Sequence, residues 1–574
     1  ASGYGYEYGS YTWQGYGVYS QEWAMLLLPV AWGLTWRAVA HGKRYAAAAA
    51  ALALTMALHF ITGYLAVLTV GVWVIVLGTA GFVRRAGRAI VVAGGSMLVA
   101  SWVLVPLIGD TKWTTRSEYY QGTIFNDSYG AKKVLGWLFT GKLFDDGRFP
   151  IVTILVFVGI LVCLALARRD VRARALLGAF TLSLLLFFGR PTLGPVLNLL
   201  PGFGDVQIHR FIMGVHLAGI LLAGVGLGWL LRTASRLAGR LAPGRYAVLA
   251  GAAAVALGVG VLAPAWTERA SYSSRGTTLI HVQQKADATD GPALDRLIAI
   301  VKARGGGRVY AGLRSNWGKD YTVGYVPVYA WLASRDVDAI GFTFRTINSL
   351  STDVEAAFDE TNLAQYQMFD IRYLLLPADR QPPVPAALVA SSGDNRLYEV
   401  QTSGYFQVVD RSAPIAANRT DVEQATRAWR TSNLASEAIY PGIAFAGSTG
   451  PAPTFVGASP PAGPAGQVLT QSERLQDGVF DATVQASRSA VVLLKASYDP
   501  RWTVTVDGAP ARPVMMAPSL VGVEVPAGRH VVRFRYAPYG DYPLLLAIGA
   551  LTLLGLAVFA RRRSFGSLRR RARE

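Results

Sequence analysis

One apolar stretch divides this chain: Tyr246-Ala-Val-Leu-Ala-Gly-Ala-Ala-Ala-Val-Ala-Leu-Gly-Val-Gly-Val-Leu-Ala263. As a helix it is long enough to cross a bilayer core of about 30 Å. Before it, apolar spans alternate with short basic loops. After it, the chain is polar, with turn and strand signals, until a last apolar span at 542–560. The stretch therefore separates a membrane half from a soluble half.

Composition points to a polytopic membrane protein. The chain has 574 residues, of which 52% are hydrophobic, and a mean hydropathy of +0.31. We predict a polytopic α-helical membrane bundle with an extracytoplasmic mixed α/β region and a C-terminal β-sandwich, closed by a final transmembrane helix. The net charge of +19 concentrates in short loops and in the tail, which favours contact with anionic lipid over nucleic acid. The single Cys163 lies in an apolar span, so we expect no disulfide outside the membrane.

The basic loops give the topology. Arg232, Arg236, Arg240 and Arg245 precede the stretch at 246–263, and short loops rich in Lys and Arg stay in the cytoplasm. We therefore expect everything after Ala263 to emerge on the outer face. The same reasoning predicts eight spans within the bundle 21–263, at residues 21–36, 45–82 as a hairpin of two spans, 89–108, 151–167, 175–189, 210–231 and 246–263.

Three segments of this half carry more specific expectations. Residues 1–20 are rich in Tyr, Gly and Trp and predict an aromatic segment lying on the outer surface of the membrane. The hairpin in 45–82 is predicted to turn near Thr62-Gly63-Tyr64, which places His59 at the outer surface. Residues 190–209 are broken by Pro and Gly, and such backbone is tolerated near a membrane only where protein or water covers it.

The soluble half is predicted to contain two domains. Residues 264–445 mix helical and strand signals and predict an extracytoplasmic α/β lobe, and residues 446–466, rich in Gly, Ala, Ser and Pro, predict a linker. Short alternating strands across 467–541 predict the β-sandwich. The chain then returns through the span 542–560 to a basic cytoplasmic tail, 561–574.

Several motifs resemble those of a known family. The run Tyr498-Asp-Pro-Arg-Trp502-Thr-Val-Thr-Val-Asp507-Gly508, followed by Val523-Glu-Val-Pro526-Ala-Gly528-Arg-His530 and Tyr536-Ala-Pro538, resembles the C-terminal sandwich of the bacterial YfhO-like membrane proteins. Phe369-Asp-Ile-Arg372-Tyr373 resembles a strand of that family's outer domain. Pro201-Gly-Phe-Gly-Asp-Val-Gln-Ile-His-Arg210-Phe211 is similar to its entry into a late helix.

The resemblance implies a glycosyltransferase of the GT-C type. Such an enzyme transfers a sugar from a polyprenyl-phosphate donor to a cell-envelope glycan or lipid at the outer face. Enzymes of this type carry a catalytic acidic residue in the first outer loop, and this chain starts without Met in Tyr/Gly-rich sequence. We therefore expect an N-terminal part, with that residue, to precede residue 1.

Transfer from a lipid-linked sugar phosphate needs a base for the acceptor hydroxyl and a cation for the leaving phosphate. A guanidinium can hold a phosphate by paired hydrogen bonds. The outer-face candidates for substrate binding are Arg190, His209, Arg210 and His59. The candidate carboxylates are Asp145, Asp146, Glu7 and Glu22, and none of them is singled out by a motif.

Cofactor use and two rival functions remain open. The sequence contains no Cys/His metal motif, and a divalent metal ion is one option for the cofactor. A transporter or flippase of lipid-linked intermediates would be favoured by charge pairs inside the spans or by inverted repeats, and the sequence shows neither. A non-enzymatic envelope protein that binds glycan is favoured by the lack of a visible acidic catalytic motif.

Overall fold

A computed structural model describes residues 3–7, 18–146, 148–241, 246–341, 348–446 and 463–571. The chain forms two compact units. Unit 1 comprises Ala1–Ile108, Gln121–Thr277 and Asp541–Glu574, and unit 2 comprises Gly109–Tyr120 and Thr278–Gly540. Each unit is described separately below.

Unit 1 is helical and carries the apolar spans. Its helices pack around a core of apolar side chains from all parts of the bundle. Their bounds are α1 Tyr19–His41, α2 Tyr45–Leu58, α3 Phe60–Val76, α4 Phe82–Val99, α5 Ser101–Asp110, α6 Ile124–Asp127, α7 Ala131–Phe139, α8 Ile151–Leu166, α9 Val171–Phe188, α10 Arg190–Leu193, α11 Ile212–Leu241, α12 Tyr246–Val261 and α13 Ala263–Thr289, the last of which ends in unit 2. The later helices are α14 Gly291–Ala303, α15 Val328–Ala333, α16 Thr352–Ala356, α17 Leu363–Phe369, α18 Val422–Arg430 and α19 Tyr542–Arg571, of which only α19 belongs to unit 1.

The long apolar helices support a membrane protein. Fewer helices are long enough to cross a membrane than the number of spans predicted from the sequence. Within the described residues, four helices are long and apolar enough to cross a membrane, or up to six if each bent pair counts as one span. The four are Tyr19–His41, Val171–Phe188, Ile208–Leu237 and Tyr542–Ala560. The remaining predicted spans coincide with bent pairs or with apolar helices of 10–17 residues, among them α2, α3 and α8.

The hairpin in 45–82 turns earlier than predicted. The helix breaks at His59, whose backbone is extended (φ −155°, ψ 110°), while Thr62, Gly63 and Tyr64 lie inside α3. Gly63 serves close packing instead, because a Cβ atom there would lie 2.4 Å from the Met56 Cα of the preceding helix. The missing side chain lets α2 and α3 fold back on each other.

The segment after the opening apolar stretch is helical. Residues from 264 onward are predicted to belong to a mixed α/β lobe, and the structure begins this region with one long helix: α12 ends at Val261, and α13 continues for 27 residues at a bend of 49°. Pro264 is the second residue of the new helix, where its missing N–H costs nothing. The stretch to Thr289 contains one glycine and no further proline, so nothing in it stops the helix.

The N-terminal segment does not match the predicted surface location where it is described. Tyr4 and Tyr6 pack against the helical core, and the Tyr6 hydroxyl donates to the Met25 carbonyl oxygen. For these two tyrosines, packing of the rings against the core is more favourable than a position at the membrane surface. Residues 8–17 of the same predicted segment lie outside the described residues.

Unit 2 contains the strands. They are β1 Arg308–Tyr310, β2 Thr322–Val323, β3 Val326–Pro327, β4 Ala339–Ile340, β5 Ile371–Pro377, β6 Ala387–Ser392, β7 Asn395–Glu399, β8 Phe406–Ala417, β9 Ile439–Phe445, β10 Gly466–Arg474, β11 Val479–Ala486, β12 Ala490–Ser497, β13 Trp502–Val506, β14 Ala509–Ala511, β15 Pro513–Met516, β16 Leu520–Val525 and β17 Gly528–Tyr536. One sheet has the order β4-β1-β5-β7-β6, in which β4, β1 and β5 are parallel.

The remaining strands form a second sheet and a closed barrel. The sheet has the order β10-β11-β17-β13-β14, and the barrel has the order β12-β16-β15-β9-β8. Because β8 pairs with β12, and β9 with β15, strands from both sides of the predicted linker 446–466 share one barrel. This differs from the expectation of two separate domains, since β8 and β9 are needed to close that barrel. Residues 447–462 lie outside the described residues.

Candidate functional site

A polar cluster lies among the helices of unit 1. The Arg210 guanidinium, at the start of the span 208–237, donates from Nη1 to Gln21 Oε1 at 3.1 Å. The same Nη1 lies 3.1 Å from His59 Nε2. Two of the predicted substrate-binding residues, Arg210 and His59, are therefore in direct contact although 151 positions separate them in sequence. Gln21, on α1, was not predicted.

His59 is held at both nitrogens of its ring. Nε2 lies 3.1 Å from Arg210 Nη1. Nδ1 lies 2.8 Å from the Thr62 hydroxyl oxygen and 3.4 Å from the Thr62 backbone nitrogen, so His59 caps the start of α3. The break between α2 and α3 thus places the imidazole between Thr62 and the guanidinium.

The segment 3–7 completes the cluster. The Tyr4 ring lies under the Arg210 guanidinium, with 5.3 Å between Cζ and the ring centroid. Gln21 Nε2 donates to the Tyr4 carbonyl oxygen at 2.7 Å. Gln21 therefore holds both Arg210 and the backbone that carries the aromatic ring. We call Tyr4, Gln21, His59 and Arg210 the arginine cluster.

Glu7 lies on the same short segment as Tyr4. Its carboxylate is 3.0 Å from His216 Nδ1, and both side chains are almost fully buried. His216 Nε2 is 2.7 Å from the Leu143 carbonyl oxygen. Glu7 therefore shares with Tyr4 a segment that contacts Arg210. His216 was missed, and its only sequence signal is a polar residue inside an apolar span.

His209 and Arg190 hold a loop instead of lining the arginine cluster directly. His209 is buried, and its Nδ1 is hydrogen-bonded to the Phe125 carbonyl oxygen. Arg190 donates from Nη1 to the Asn126 carbonyl oxygen at 2.5 Å and from Nη2 to the Phe203 carbonyl oxygen at 2.7 Å. His209 still reaches the cluster through Tyr4, whose ring centroid is 4.6 Å from that of the imidazole.

Asp145 has a structural position. Its carboxylate is fully buried and accepts from the backbone N–H groups of Val152 at 3.1 Å and Thr153 at 2.8 Å. These are amides of the first turn of α8, so Asp145 caps that helix. Arg148 lies 3.1 Å from the same carboxylate. The arrangement disfavours the predicted role of Asp145 as a base or metal ligand, because its acceptor positions are already used.

The other two carboxylates lie apart from these contacts. Asp146 is exposed, with a positive φ of 39°. Glu22 is half-buried in the first turn of α1. No group of three or more His, Cys, Asp or Glu side chains in the described ranges is arranged to hold a metal ion. The described residues therefore do not form a metal site.

Unit 2 buries a different set of charges. Lys495 is fully buried and donates to Ser403 Oγ at 2.8 Å. Burial lowers the pKa of Lys495 to about 8, against the opposing effect of Asp370. Burial also raises the pKa of Asp370, which accepts a hydrogen bond from Thr402 Oγ1 at 2.7 Å. Lys495 and Asp370 each have a hydrogen-bond partner inside the unit, as expected of buried charges with a structural role.

Comparison with known proteins adds a family and a loose structural likeness. No curated protein matches the sequence. Among solved structures, the chain is similar to a mutant of the arabinofuranosyltransferase AftD from Mycobacteria, with 14% identity over 91% of this chain and 49% of that chain, at a TM-score of 0.36. A second AftD structure gives 13% identity, 87% and 45% coverage, and a TM-score of 0.34. The chain spans about half the length of these proteins.

The family assignment rests on sequence. Residues 10–299 match the family of unknown function DUF6541, and this range is half of the chain. It includes α1 through α13 and therefore most of the helical unit, with Gln21, His59 and Arg210. The resemblance to YfhO-like proteins stays a prediction. On the match over 10–299, the chain belongs to the DUF6541 family.

Proposed function

We propose that this protein is a membrane glycosyltransferase of the GT-C type. It transfers a sugar from a polyprenyl-phosphate donor to a cell-envelope glycan or lipid acceptor at the outer face of the cell membrane. The observation that carries the proposal is the arginine cluster. A guanidinium at the end of an apolar span, positioned by Gln21, His59 and Tyr4, suits a ligand that has both a lipid tail and a phosphate.

The cluster presents Arg210 in a fixed orientation. Gln21 and His59 both contact Nη1, and the Tyr4 ring supports the plane of the guanidinium from one side. Fixing a cation before the reaction lowers the cost of stabilising charge as it develops on the leaving group. In this proposal Arg210 binds the donor phosphate and stabilises it as it departs.

The reaction needs one bond made and one broken. The acceptor hydroxyl oxygen bonds to the anomeric carbon of the donor sugar, and the bond from that carbon to the phosphate oxygen breaks with its electron pair moving to the phosphate. The hydroxyl proton must go to a base. We assign that role to Glu7, because it shares its segment with Tyr4. Its carboxylate accepts from the Gly3 N–H at 2.8 Å and is paired with His216 at 3.0 Å, so it must release one of these partners to take the proton.

Mutation of Arg210 tests this function. The full chain would be reconstituted in lipid vesicles and assayed with labelled polyprenyl-phosphate sugars and an envelope glycan extract. We expect Arg210→Ala to lower transfer by about 100-fold, the usual cost of losing a charge-stabilising group. Arg210→Lys is expected to recover only part of the activity, because lysine cannot form paired hydrogen bonds.

Arg172→Ala is the matched control, since Arg172 is exposed and paired with Asp170 within one turn. It should transfer as the wild type does. Equal transfer by wild type and Arg210→Ala would contradict the phosphate-binding role. Absence of transfer by the wild-type chain with every polyprenyl-phosphate sugar tried would contradict the glycosyltransferase function itself.

A transporter or flippase of lipid-linked intermediates is the second candidate, and one observation favours it. The pair formed by Glu7 and His216 is buried within the helical unit, and His216 lies in the span 208–237. Ionisable pairs in such positions are typical of proton-coupled transport. Movement of a fluorescent polyprenyl-phosphate lipid between leaflets, lost in Glu7→Gln and unaccompanied by sugar transfer, would favour this alternative.

The orientation of the chain is part of the proposal. The positive-inside pattern supports an extracytoplasmic location for residues 264–541 and a cytoplasmic tail. Cysteine accessibility tests it. In a Cys163→Ala background, Asp379→Cys should react with an impermeant maleimide added to intact cells, because Asp379 is exposed in unit 2. Reaction only after the cells are opened would overturn the orientation.

A further inference from the structure

Unit 2 contains an open cavity of about 440 Å³ that no role discussed so far requires. We propose that this cavity binds a neutral carbohydrate and, resting on the proposed function, that the carbohydrate belongs to the glycan acceptor. Its volume falls in the range of small-molecule sites, about 300–1,000 Å³. Four carboxylates and two cationic side chains line it, namely Asp336, Asp338, Glu473, Asp477, Lys302 and Arg474.

The lining contains more carboxylates than cations. Asp338 is already paired with Arg308 at 2.9 Å. The charged side chains that remain are Asp336, Glu473, Asp477, Lys302 and Arg474. This remaining set favours a neutral ligand over an anionic one. A sugar hydroxyl both donates and accepts hydrogen bonds. It can therefore bind a carboxylate and a neighbouring cationic side chain at the same time. Arg474 and Asp477 provide such a pair, with 3.4 Å between Arg474 Nε and an Asp477 carboxylate oxygen. The mixed lining therefore fits a ligand with several hydroxyls and no charge.

Glu473 supplies an acceptor that faces the cavity. Its side chain is half-buried on β10, and no other side chain in the described part of the molecule donates a hydrogen bond to its carboxylate. Burial raises the pKa of Glu473, and the nearby Asp370 carboxylate adds to the effect. The Glu473 backbone N–H donates to this carboxylate, and ligand hydroxyls would supply further donors.

The opposite wall is bare backbone. Gly306 and Gly307 have φ values of +77° and +113°, which side chains rarely adopt. A Cβ at Gly306 would lie 3.6 Å from a Glu473 carboxylate oxygen, so the glycine backbone itself is close to that group. Gly306 leaves this part of the lining free of a side chain, so its backbone groups can contact a ligand. A Cβ at Gly307 would lie 2.9 Å from Arg372 Cβ, so the second glycine allows close packing against Arg372.

The location differs from the usual ligand site of a parallel sheet. Such sheets bind ligands at the carboxyl ends of their strands. Gly306 and Gly307 precede β1, and Asp336 and Asp338 precede β4, so the cavity lies at the amino ends of two parallel strands. It is completed by β10, which belongs to a different sheet. The site is therefore specific to the way this unit joins its two sheets.

Binding to the full chain in detergent tests the proposal without any transfer reaction. The probes are neutral trisaccharides of glucose, mannose and arabinose, with a phosphorylated hexose as the anionic comparison. Affinity would be measured by titration calorimetry. We expect at least one neutral trisaccharide to bind and the phosphorylated hexose not to bind. Hydrogen exchange should slow at residues 304–307 and 471–478 when the sugar is present.

Three variants locate the site. Glu473→Gln and Asp477→Asn should each weaken sugar binding by about tenfold, the cost of one charged hydrogen bond. Gln476→Trp should block binding, since Gln476 is an exposed residue of the cavity rim. Glu437→Gln is the matched control, because Glu437 is exposed in unit 2 and does not line the cavity.

The outcomes separate the carbohydrate site from the proposed transferase function. Binding that survives all three variants, or failure of every neutral trisaccharide to bind, overturns the carbohydrate site. Preferential binding of the phosphorylated hexose also overturns it. If neutral sugar binds at this cavity but the wild-type chain transfers none, the carbohydrate site stands and the proposed transferase function fails.

Discussion

The two units use arginine in different ways. In unit 2, Arg430 is buried and donates to Glu423 at 2.5 Å, and Arg427 donates to the same carboxylate at 2.7 Å. In unit 1, Arg210 contacts an amide, an imidazole and a phenol ring. A buried charge that is matched by opposite charge holds a fold together. An arginine held by an amide and an aromatic ring at the end of an apolar span fits the phosphate-binding role proposed for it.

The largest expected effect on stability is in unit 2. Removing the carboxylate in Glu423→Ala leaves Arg430 buried and 4% exposed without its charge partner. We expect the local free energy of unfolding to fall by about 3–5 kcal/mol, as for other broken buried pairs. Hydrogen exchange of the α18 amides in the full chain would measure it. Protection equal to wild type would show that the pairs in unit 2 are not structural and would break the comparison.

Asp145 extends the comparison into unit 1. If it only caps α8, Asp145→Ala should lower the stability of the bundle by about 2 kcal/mol and leave sugar transfer per folded molecule unchanged. The thermal unfolding midpoint in detergent and the transfer rate of the folded fraction would be measured together. A loss of transfer much larger than the loss of folded protein would return Asp145 to the list of catalytic candidates.

Glu355 is expected to give the smallest effect and the opposite sign. Burial raises the pKa of this carboxyl group from 4.5 to about 7, with a further contribution from Asp338 and an opposing one from Arg308. The folded state therefore binds the proton more tightly than the unfolded chain. The contribution of Glu355 to stability is complete below the pKa of this group in the unfolded chain. It is lost as the pH rises through the pKa of the group in the folded protein.

Glu355→Gln removes this pH dependence, because glutamine does not ionise. We expect the variant to unfold at nearly the same temperature as the wild type at about pH 4 and to be more stable by about 1.4 kcal/mol at about pH 5.5. Thermal unfolding of the full chain at the two pH values checks it. A wild-type chain that is equally destabilised relative to the variant at both pH values would contradict the titration of Glu355.

The sequence predicted local elements well where a short pattern determines them. The strand Trp502–Val506 begins and ends as its alternating residues predict, and the last apolar span at 542–560 coincides with the apolar part of α19. The sequence also proposed Arg210 and His59 as substrate-binding candidates, because a charged or titratable residue at the end of an apolar span is rare, and that role stays a prediction. These features depend on neighbouring residues, so the sequence alone reports them.

The contacts that define the site could not be read from neighbouring residues. His59 meets Arg210 across 151 positions, and Glu7 meets His216 across 209. Gln21 is an unremarkable polar residue until Tyr4 and Arg210 come to lie on either side of it. Asp145 looked like a free carboxylate because nothing in the sequence shows that the first turn of α8 would enclose it.

The sequence by itself determined that the chain is an apolar helical half joined to a strand-rich half, because periodicity and charge placement are local properties. The tertiary structure decided which polar residues contact one another in the candidate site, because that depends on which helices pack together and on where the chain breaks. It also decided that β8 and β9 close one barrel with β12, β15 and β16, since a closed barrel needs strands from distant parts of the chain.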